Sequence, residues 1–300
     1  MAVPAHIILI SDIEGSSGCW ERSASQFLKR EWALACAEMS RDVDAVVKAL
    51  FDAGASTIIV KDFHRTGYNI IPELVDRRAR LVYGYRRGVV PGIGDPGRAE
   101  ACFMIGMHAA SGSDGFLAHT LTSRLSRIEA NGRLLSEAEL FASSLGRFGI
   151  RPLFLSGCPV ACREAAQAIP GIHTCELDKT NPRENFNIDA WRSRLAQSAV
   201  EALRQSSAPP YQPQGHWRAI LTLRDGMLAA RRIARRWGLD WSGDSIIINA
   251  ENMQGLYLML IRICYLTPVM ESVLPAALAL YRFAGWAGLQ WARRVQDFNH

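Results

Sequence analysis

The chain has 300 residues, of which 49% are hydrophobic, and its formal net charge is +5. This composition excludes an intrinsically disordered protein, because so many apolar residues can bury a large core. The charge is small for this length and no nucleic-acid motif accompanies it, so we expect no nucleic-acid partner. No run of about 18 uncharged apolar residues occurs, and we therefore predict no membrane-spanning helix.

The seven cysteines are irregularly spaced, and none of them forms a CxxC pair. We expect no secretory leader, because the N-terminus leads almost directly into the first predicted strand. Cysteines used in this way are typical of a reducing compartment rather than of a disulfide framework. We therefore expect a cytoplasmic protein.

The first predicted strand is residues 7–10, and two acidic residues follow it. Four consecutive aliphatic side chains are typical of a strand that is buried on both faces of a parallel sheet. Asp12 and Glu14 come directly afterwards, in the position where ligands bind beyond the carboxyl ends of such strands. Taken alone, this stretch is equally compatible with two solvated loop acids.

The next segments predict a strand, helix, strand crossover. Apolar residues recur every three or four positions over residues 31–53, which indicates a helix. The β-rich run over residues 56–64 ends with His64, and a third apolar run ends with His108. Strands joined in this way are parallel, so we expect both histidines at one edge of the sheet. The loop over residues 84–97 is predicted either to cover that edge as a lid or to decorate the surface.

Another group of polar residues lies before the next predicted helix and in its first turn. His119 lies in a segment that is predicted to be a short strand or a loop. Ser136 is the expected N-cap of a helix, with Glu139 as its capping-box partner. The carboxylate of Glu137, in the first turn, is then free for another role.

The remaining pattern completes an α/β protein with a mostly parallel sheet flanked by helices and a second, smaller α+β domain. The proline-rich segment 206–215 is the best linker candidate, so we predict a catalytic metal-binding domain over residues 1–206 and a smaller domain over residues 207–300. Residues 267–300 would form an extra helical tail. Its aromatic and arginine side chains are compatible with a membrane surface, although packing on the body or on a neighbouring subunit is the interpretation we favour. The other predicted elements are a strand over 152–156, helices over 159–168 and 188–205, strands over 219–223 and 245–249, and a helix over 252–266.

Five side chains combine into a candidate metal site. Carboxylates and neutral imidazoles suit zinc, manganese or iron, and the lack of a cysteine in the set argues against a structural thiolate site. Five ligands exceed the needs of one tetrahedral zinc, whereas two ions that share a carboxylate would use them all. His119 then remains as a general acid or base or as an oxyanion partner. Asp62 is either a candidate to support His64 or an ordinary turn acid. The candidate ligands are Asp12, Glu14, His64, His108 and Glu137.

Other catalytic patterns fit the chain poorly. Residues 156–158 follow a predicted strand as a nucleophile elbow would, but the G-x-S-x-G pattern is absent. No P-loop or dinucleotide fingerprint occurs either. Chemistry driven by a bound phosphate group is therefore disfavoured.

Five motifs in the same order resemble peptidase family M55, the D-aminopeptidases of the DppA type, from about residue 7 to residue 266. The resemblance implies a zinc-dependent hydrolase with two zinc ions, in which the five candidate ligands bind the metals and Asp12 bridges them. It also implies that His119 is the catalytic histidine. The motifs are Ser11-Asp12-Ile13-Glu14-Gly15-Ser16-Ser17-Gly18, Asp62-Phe63-His64 with Asn69, Gly106-Met107-His108-Ala109, His119, and Asn131-Gly132-Arg133 leading to Glu137.

The resemblance further implies a reaction and an assembly. Members of the family cleave the amide bond of short peptides with an N-terminal D-residue and form ring-shaped decamers, so we expect a homo-oligomer. Two departures concern the substrate: Cys158-Pro159 replaces an acidic pair, and Lys179 precedes residues 181–187 rather than a small-residue helix start. Two alternatives stay open: a metal-dependent amidohydrolase that acts on a non-peptide small-molecule amide, and a metal-binding assembly or membrane-recruited partner protein without turnover.

Overall fold

The computed structural model describes residues 3–180 and 183–297, which form eleven strands and eight α-helices. The strands are β1 (His6–Ser11), β2 (Thr57–Asp62), β3 (Arg80–Val82), β4 (Ala101–Met107), β5 (Leu125–Ala130), β6 (Arg133–Leu134), β7 (Arg151–Gly157), β8 (His173–Glu176), β9 (Trp217–Leu223), β10 (Asp240–Ser242) and β11 (Ser245–Ala250). The helices are α1 (Arg30–Asp52), α2 (Glu137–Gly146), α3 (Pro159–Ala168), α4 (Ile188–Gln205), α5 (Met227–Trp237), α6 (Met253–Tyr265), α7 (Pro268–Ser272) and α8 (Leu274–Asp297).

Two sheets divide these strands. Six strands form a parallel sheet in the order β3-β2-β1-β4-β7-β8, and five form a sheet in the order β10-β11-β9-β5-β6, whose strand pairs are antiparallel. This arrangement confirms the predicted α/β class with a second, smaller unit. The sequence pattern missed β5, because charged and polar residues interrupt its apolar ones. Since β5 and β6 precede residue 206 and β5 pairs with β9, the second sheet takes strands from both sides of that position, and the domain division stays a prediction.

Strand β1 lies near the middle of the parallel sheet and is buried on both faces. Successive side chains of a strand point to opposite faces. Ile7 and Leu9 therefore pack in the core shared with α1 and α4, whereas Ile8 and Ile10 pack in the core shared with α2, α6 and the antiparallel sheet. Because both faces are covered, all four positions are aliphatic, and no side chain of the run is more than 1% exposed.

The C-terminal helix α8 packs along α1 on one face of the parallel sheet. Trp291 stacks on Trp32, with ring centroids 6.1 Å apart and an interplanar angle of 4°. Gly288 allows close approach, because a Cβ atom there would lie 2.3 Å from the ring of Phe27. The tail thus packs on the body of the same chain. Among the helices over residues 3–180 and 183–297, none is long and apolar enough to cross a membrane.

Gly106, near the end of β4, lets the loop after β1 lie directly against that strand. Its φ angle is +77°, and a Cβ atom there would lie 2.1 Å from the carbonyl oxygen of Asp12. The same contact includes a hydrogen bond of 2.8 Å that the backbone N–H of Gly15 donates to the Gly106 carbonyl oxygen. The position of Asp12 therefore depends on a glycine in the neighbouring strand.

Gly106→Ala is expected to lower the free energy of unfolding by about 3 kcal/mol, because an overlap with backbone adds to left-handed strain. Gly132→Ala is the matched control, since Gly132 has a φ of +80° and no atom within 4 Å of a Cβ. That control should lose only about 1 kcal/mol from the backbone conformation. Urea unfolding of both variants measures the difference, and equal losses would contradict the importance of the close contact.

Candidate metal centre

The carboxyl ends of β1, β2 and β4 bring the predicted ligands together at one edge of the parallel sheet. Asp12 and Glu14 follow β1, and its neighbours β2 and β4 are followed by His64 and His108. Glu137 enters from the first turn of α2. All five side chains belong to residues that are at most 5% exposed. Because buried ionic groups are stable only with a partner of opposite charge, such a cluster needs compensating positive charge.

Asp12 lies between two imidazoles and presents one carboxylate oxygen to each. Its Oδ1 is 3.1 Å from Nδ1 of His64, and its Oδ2 is 3.2 Å from Nε2 of His108. Oε2 of Glu14 is 2.9 Å from Nδ1 of His64. Oε1 of Glu137 is 3.5 Å from Nε2 of His108. The cluster therefore consists of two half-sites, the Glu14 half-site with His64 and the Glu137 half-site with His108, which share Asp12.

Backbone carbonyl groups orient both of these imidazoles. Nε2 of His64 lies 3.1 Å from the carbonyl oxygen of Ser25, and Nδ1 of His108 lies 3.1 Å from that of Ala109. A ring nitrogen that donates to a carbonyl carries the proton, so the opposite nitrogen offers its lone pair to the half-site. Metal-binding histidines are typically held in this way.

The electrostatics of the cluster favour bound cations. Burial alone would lower the pKa of His64, but the charge of Glu14 and the contacts with Asp12 raise it to about 10. Burial also lowers the pKa of His108, but Glu137 and Asp12 outweigh it and raise that pKa well above its ordinary value. Oε2 of Glu14 and Nε2 of His108 are nevertheless buried without a hydrogen-bond partner of suitable geometry. A divalent cation competes with protons for the same lone pairs, so these residues fit a metal.

His119 lies beside the Glu137 half-site and is half-buried. Its ring stacks on His108, with centroids 3.8 Å apart and an interplanar angle of 11°, and its Nδ1 lies 2.8 Å from the carbonyl oxygen of Leu117. Burial and the charge of His108 lower the pKa of His119, which favours a neutral ring. A ligand atom of His119 is also within 4.8 Å of those of His108 and Glu137, so the geometry allows either an acid-base role or a ligand role.

The loop that carries His119 is strained. Leu117 and Leu121 have φ angles of +48° and +61°, in the left-handed region that non-glycine residues rarely adopt. In this conformation the backbone N–H of Leu121 donates a hydrogen bond of 2.6 Å to Oε1 of Glu137. Backbone strain of this kind occurs where the surrounding structure holds a functional loop in place.

A cavity of about 600 Å³ opens onto the two half-sites, and its size is suitable for a small molecule or a short peptide. Four of the five candidate ligands line its inner part, together with His119. Its outer part has aromatic and cationic side chains. These are Tyr85, Tyr265, Tyr281, Arg22, Arg65 and Arg224.

Residues 6–261 match the D-aminopeptidase family Peptidase_M55. The chain belongs to this family. A D-aminopeptidase of Bacillus subtilis (strain 168) is 25% identical over 174 residues, which cover 57% of this chain and 63%, less than two thirds, of that relative. The solved structure described as "Zn-dependent D-aminopeptidase DppA from Bacillus subtilis, a self-compartmentalizing protease" has the same fold, with a TM-score of 0.78 at 19% identity over 87% of this chain and 97% of the other. The resemblance to M55 is therefore confirmed.

Asp62 and Glu139 of this M55 member make contacts that differ from the sequence prediction. Asp62 contacts the backbone N–H of His64 at 3.3 Å and both the backbone and the side chain of Asn69, so it holds the backbone of the loop rather than the imidazole ring. Ser136 is the predicted N-cap and accepts from the N–H of Glu139. The prediction that the side chain of Glu139 completes a capping box was wrong, because its carboxylate pairs with Arg133 instead.

Lys179 is the functional residue whose role the sequence reasoning missed. Lys179 is half-buried, and its ammonium group donates hydrogen bonds to the carbonyl oxygens of Glu14 at 2.6 Å, of Ser16 at 2.9 Å and of Cys19. Burial lowers its pKa to about 8. Lys179 therefore fixes the loop that carries two of the candidate ligands, Asp12 and Glu14. The sequence had identified it only as the point where the chain departs from the family. Residues 181 and 182, in that departing stretch, lie outside the described residues.

Proposed function

We propose that this M55 member is a zinc-dependent aminopeptidase that cleaves the first amide bond of short peptides with an N-terminal D-residue. The observation that carries the proposal is the carboxylate of Asp12, which presents one oxygen to each of two half-sites. Family membership supports an aminopeptidase, and the names of the two Bacillus subtilis proteins support zinc and a D-residue.

Five residues would hold two zinc ions, with Asp12 shared between them. Glu14 and His64 would complete one site, and His108 and Glu137 the other. Bound zinc would supply a polarised substrate carbonyl and a water of lowered pKa. The protein contributes the orientation of the ligands, because Ser25 and Ala109 accept the imidazole protons and leave the opposite nitrogens free.

His119 would transfer the proton that amide cleavage requires. Its Nδ1 proton is engaged by the carbonyl oxygen of Leu117, so Nε2 is the atom that accepts and donates. The lowered pKa keeps this nitrogen unprotonated near neutral pH, as a general base needs. After accepting a proton, the same atom can deliver it to the leaving nitrogen of the peptide.

The assembly and the location remain part of the proposal. The solved relative is described as self-compartmentalizing, which supports a homo-oligomer for this chain, and the resemblance to M55 suggests a decamer. The seven cysteines are free thiols, in agreement with the prediction of a reducing, cytoplasmic environment.

The test is turnover of D-alanyl-D-alanine, its L counterpart and an acyl amide by full-length protein of known metal content. We expect about two zinc equivalents per chain, preference for the D-peptide, and a loss of at least roughly 100-fold in rate on chelation that zinc restores. Unchanged turnover after chelation, with well under one equivalent of metal, would contradict the mechanism. Turnover of the acyl amide alone would support the non-peptide amidohydrolase instead.

A further inference from the structure

The outer part of the catalytic cavity carries the charge opposite to that of its inner part. Three carboxylates belong to the buried half-sites, whereas Arg22, Arg65 and Arg224 line the cavity at its solvent-exposed side. Over residues 3–180 and 183–297, none of these three arginines forms an ion pair. The guanidinium groups of these arginines are therefore available to an anionic ligand in the cavity.

Arg65 is held in place beside the Glu14 half-site. Its Nε donates a hydrogen bond of 2.7 Å to the carbonyl oxygen of Ser25, the oxygen that also faces Nε2 of His64. Its φ angle is +45°, a strained backbone conformation that the adjoining structure must stabilise. Within the described part of the chain, the two terminal amino groups of Arg65 have no hydrogen-bond partner. The guanidinium group is therefore oriented but still free to bind a ligand.

Arg224, at the end of β9, reaches the same cavity from the antiparallel sheet. Its Nε donates a hydrogen bond of 3.0 Å to the carbonyl oxygen of Ser123, which again leaves the terminal amino groups without a partner among the residues described. The adjacent acid, Asp225, is already paired with Arg124, whose Nε is 2.7 Å from its Oδ2. Two guanidinium groups from different sheets are thus anchored through Nε and free at their other nitrogens.

The aromatic side chains that line this cavity come partly from outside the residues that match the family. Tyr281 of α8 stacks on Tyr85, with centroids 6.1 Å apart and an interplanar angle of 9°. Arg282 donates a hydrogen bond of 3.1 Å to the carbonyl oxygen of Tyr85, which fixes α8 against that segment. Arg65 is close enough to Tyr281 to oppose the rise in its pKa that burial causes. The C-terminal helix therefore closes the cavity beside Arg65.

We propose that Arg65 and Arg224 bind the C-terminal carboxylate of a short peptide whose first amide bond lies at the metal centre. This inference rests on the proposed aminopeptidase function and names the substrate class more narrowly, as peptides with both ends free. A guanidinium group matches the geometry of a carboxylate and forms charge-assisted hydrogen bonds with it.

The experiment compares kcat/KM of the zinc-loaded full chain for D-alanyl-D-alanine and for the same dipeptide with a C-terminal amide. We expect the wild type to prefer the free acid by at least about 10-fold. Arg65→Ala and Arg224→Ala should each lower kcat/KM for the acid by roughly 10- to 100-fold and change it for the amide by less than about threefold. Arg232→Ala, in an exposed arginine of α5 outside the cavity, is the matched control and should change neither.

The outcomes separate this inference from the proposed function. Equal turnover of acid and amide by the wild type would overturn the inference and leave the aminopeptidase standing. Equal losses on both substrates in the arginine variants would also overturn it, because they would indicate a structural role. Turnover of neither peptide by zinc-loaded wild type would contradict the aminopeptidase itself. Zinc content and thermal unfolding of every variant confirm that the folded holoenzyme is being compared.

Discussion

Asp12→Asn is expected to reduce bound zinc from about two equivalents to well under one per chain and to lower kcat by roughly 1000-fold or more. The reason is geometric: Oδ1 faces His64 and Oδ2 faces His108, at 3.1 and 3.2 Å. An amide replaces one of these oxygens with an N–H donor and removes the negative charge that both half-sites share. Metal analysis by mass spectrometry after gel filtration, together with single-substrate kinetics, measures both effects.

Glu14→Gln is the matched comparison for that prediction. Glu14 lies 2.9 Å from His64 and belongs to one half-site only, so this variant should lose about one zinc equivalent and keep the other. Equal zinc loss in the two variants would contradict the assignment of Asp12 as the shared ligand. A loss confined to one equivalent in both variants would do the same.

His119→Gln is expected to retain both zinc ions and to lose roughly 100- to 10,000-fold in kcat, with a much smaller change in KM. Glutamine keeps an N–H group that can reach the carbonyl of Leu117, but its amide does not accept and release a proton near neutral pH. Zinc analysis and steady-state kinetics on the same preparation measure the result.

The same variant decides between the two roles that the geometry of His119 allows. A loss of one zinc equivalent would identify His119 as a ligand of the Glu137 half-site and contradict an acid-base role. His173→Gln is the control, because His173 lies on β8 and does not line the cavity. This control should leave zinc content and kcat unchanged.

Local sequence patterns predicted the strands and helices whose formation depends mainly on their own residues. Four aliphatic residues in β1 indicated a strand covered on both faces, and Ser136 indicated the start of α2, because burial and capping depend on neighbours in the sequence. The candidate ligands were predictable for a related reason. Parallel strands end at the same edge of a sheet, so acids and histidines after successive strands approach one another in any fold of this class.

Contacts between distant segments could not be predicted in this way. Strand β5 mixes charged and apolar residues, and its pairing with β9 depends on a partner about ninety residues away. Lys179 reads as an ordinary surface lysine until the fold carries its ammonium group to the carbonyl oxygens of the Glu14 loop.

The sequence by itself therefore determined the class of the fold, the family and the candidate ligands of the metal centre. Only the tertiary structure decided that Asp12 presents one oxygen to each half-site, because that depends on the relative positions of three strands and a helix. It also decided that Arg65, Arg224 and Tyr281 meet at one cavity. These residues lie on separate segments, and their proximity results from the packing of two sheets and the C-terminal helix, which no local pattern encodes.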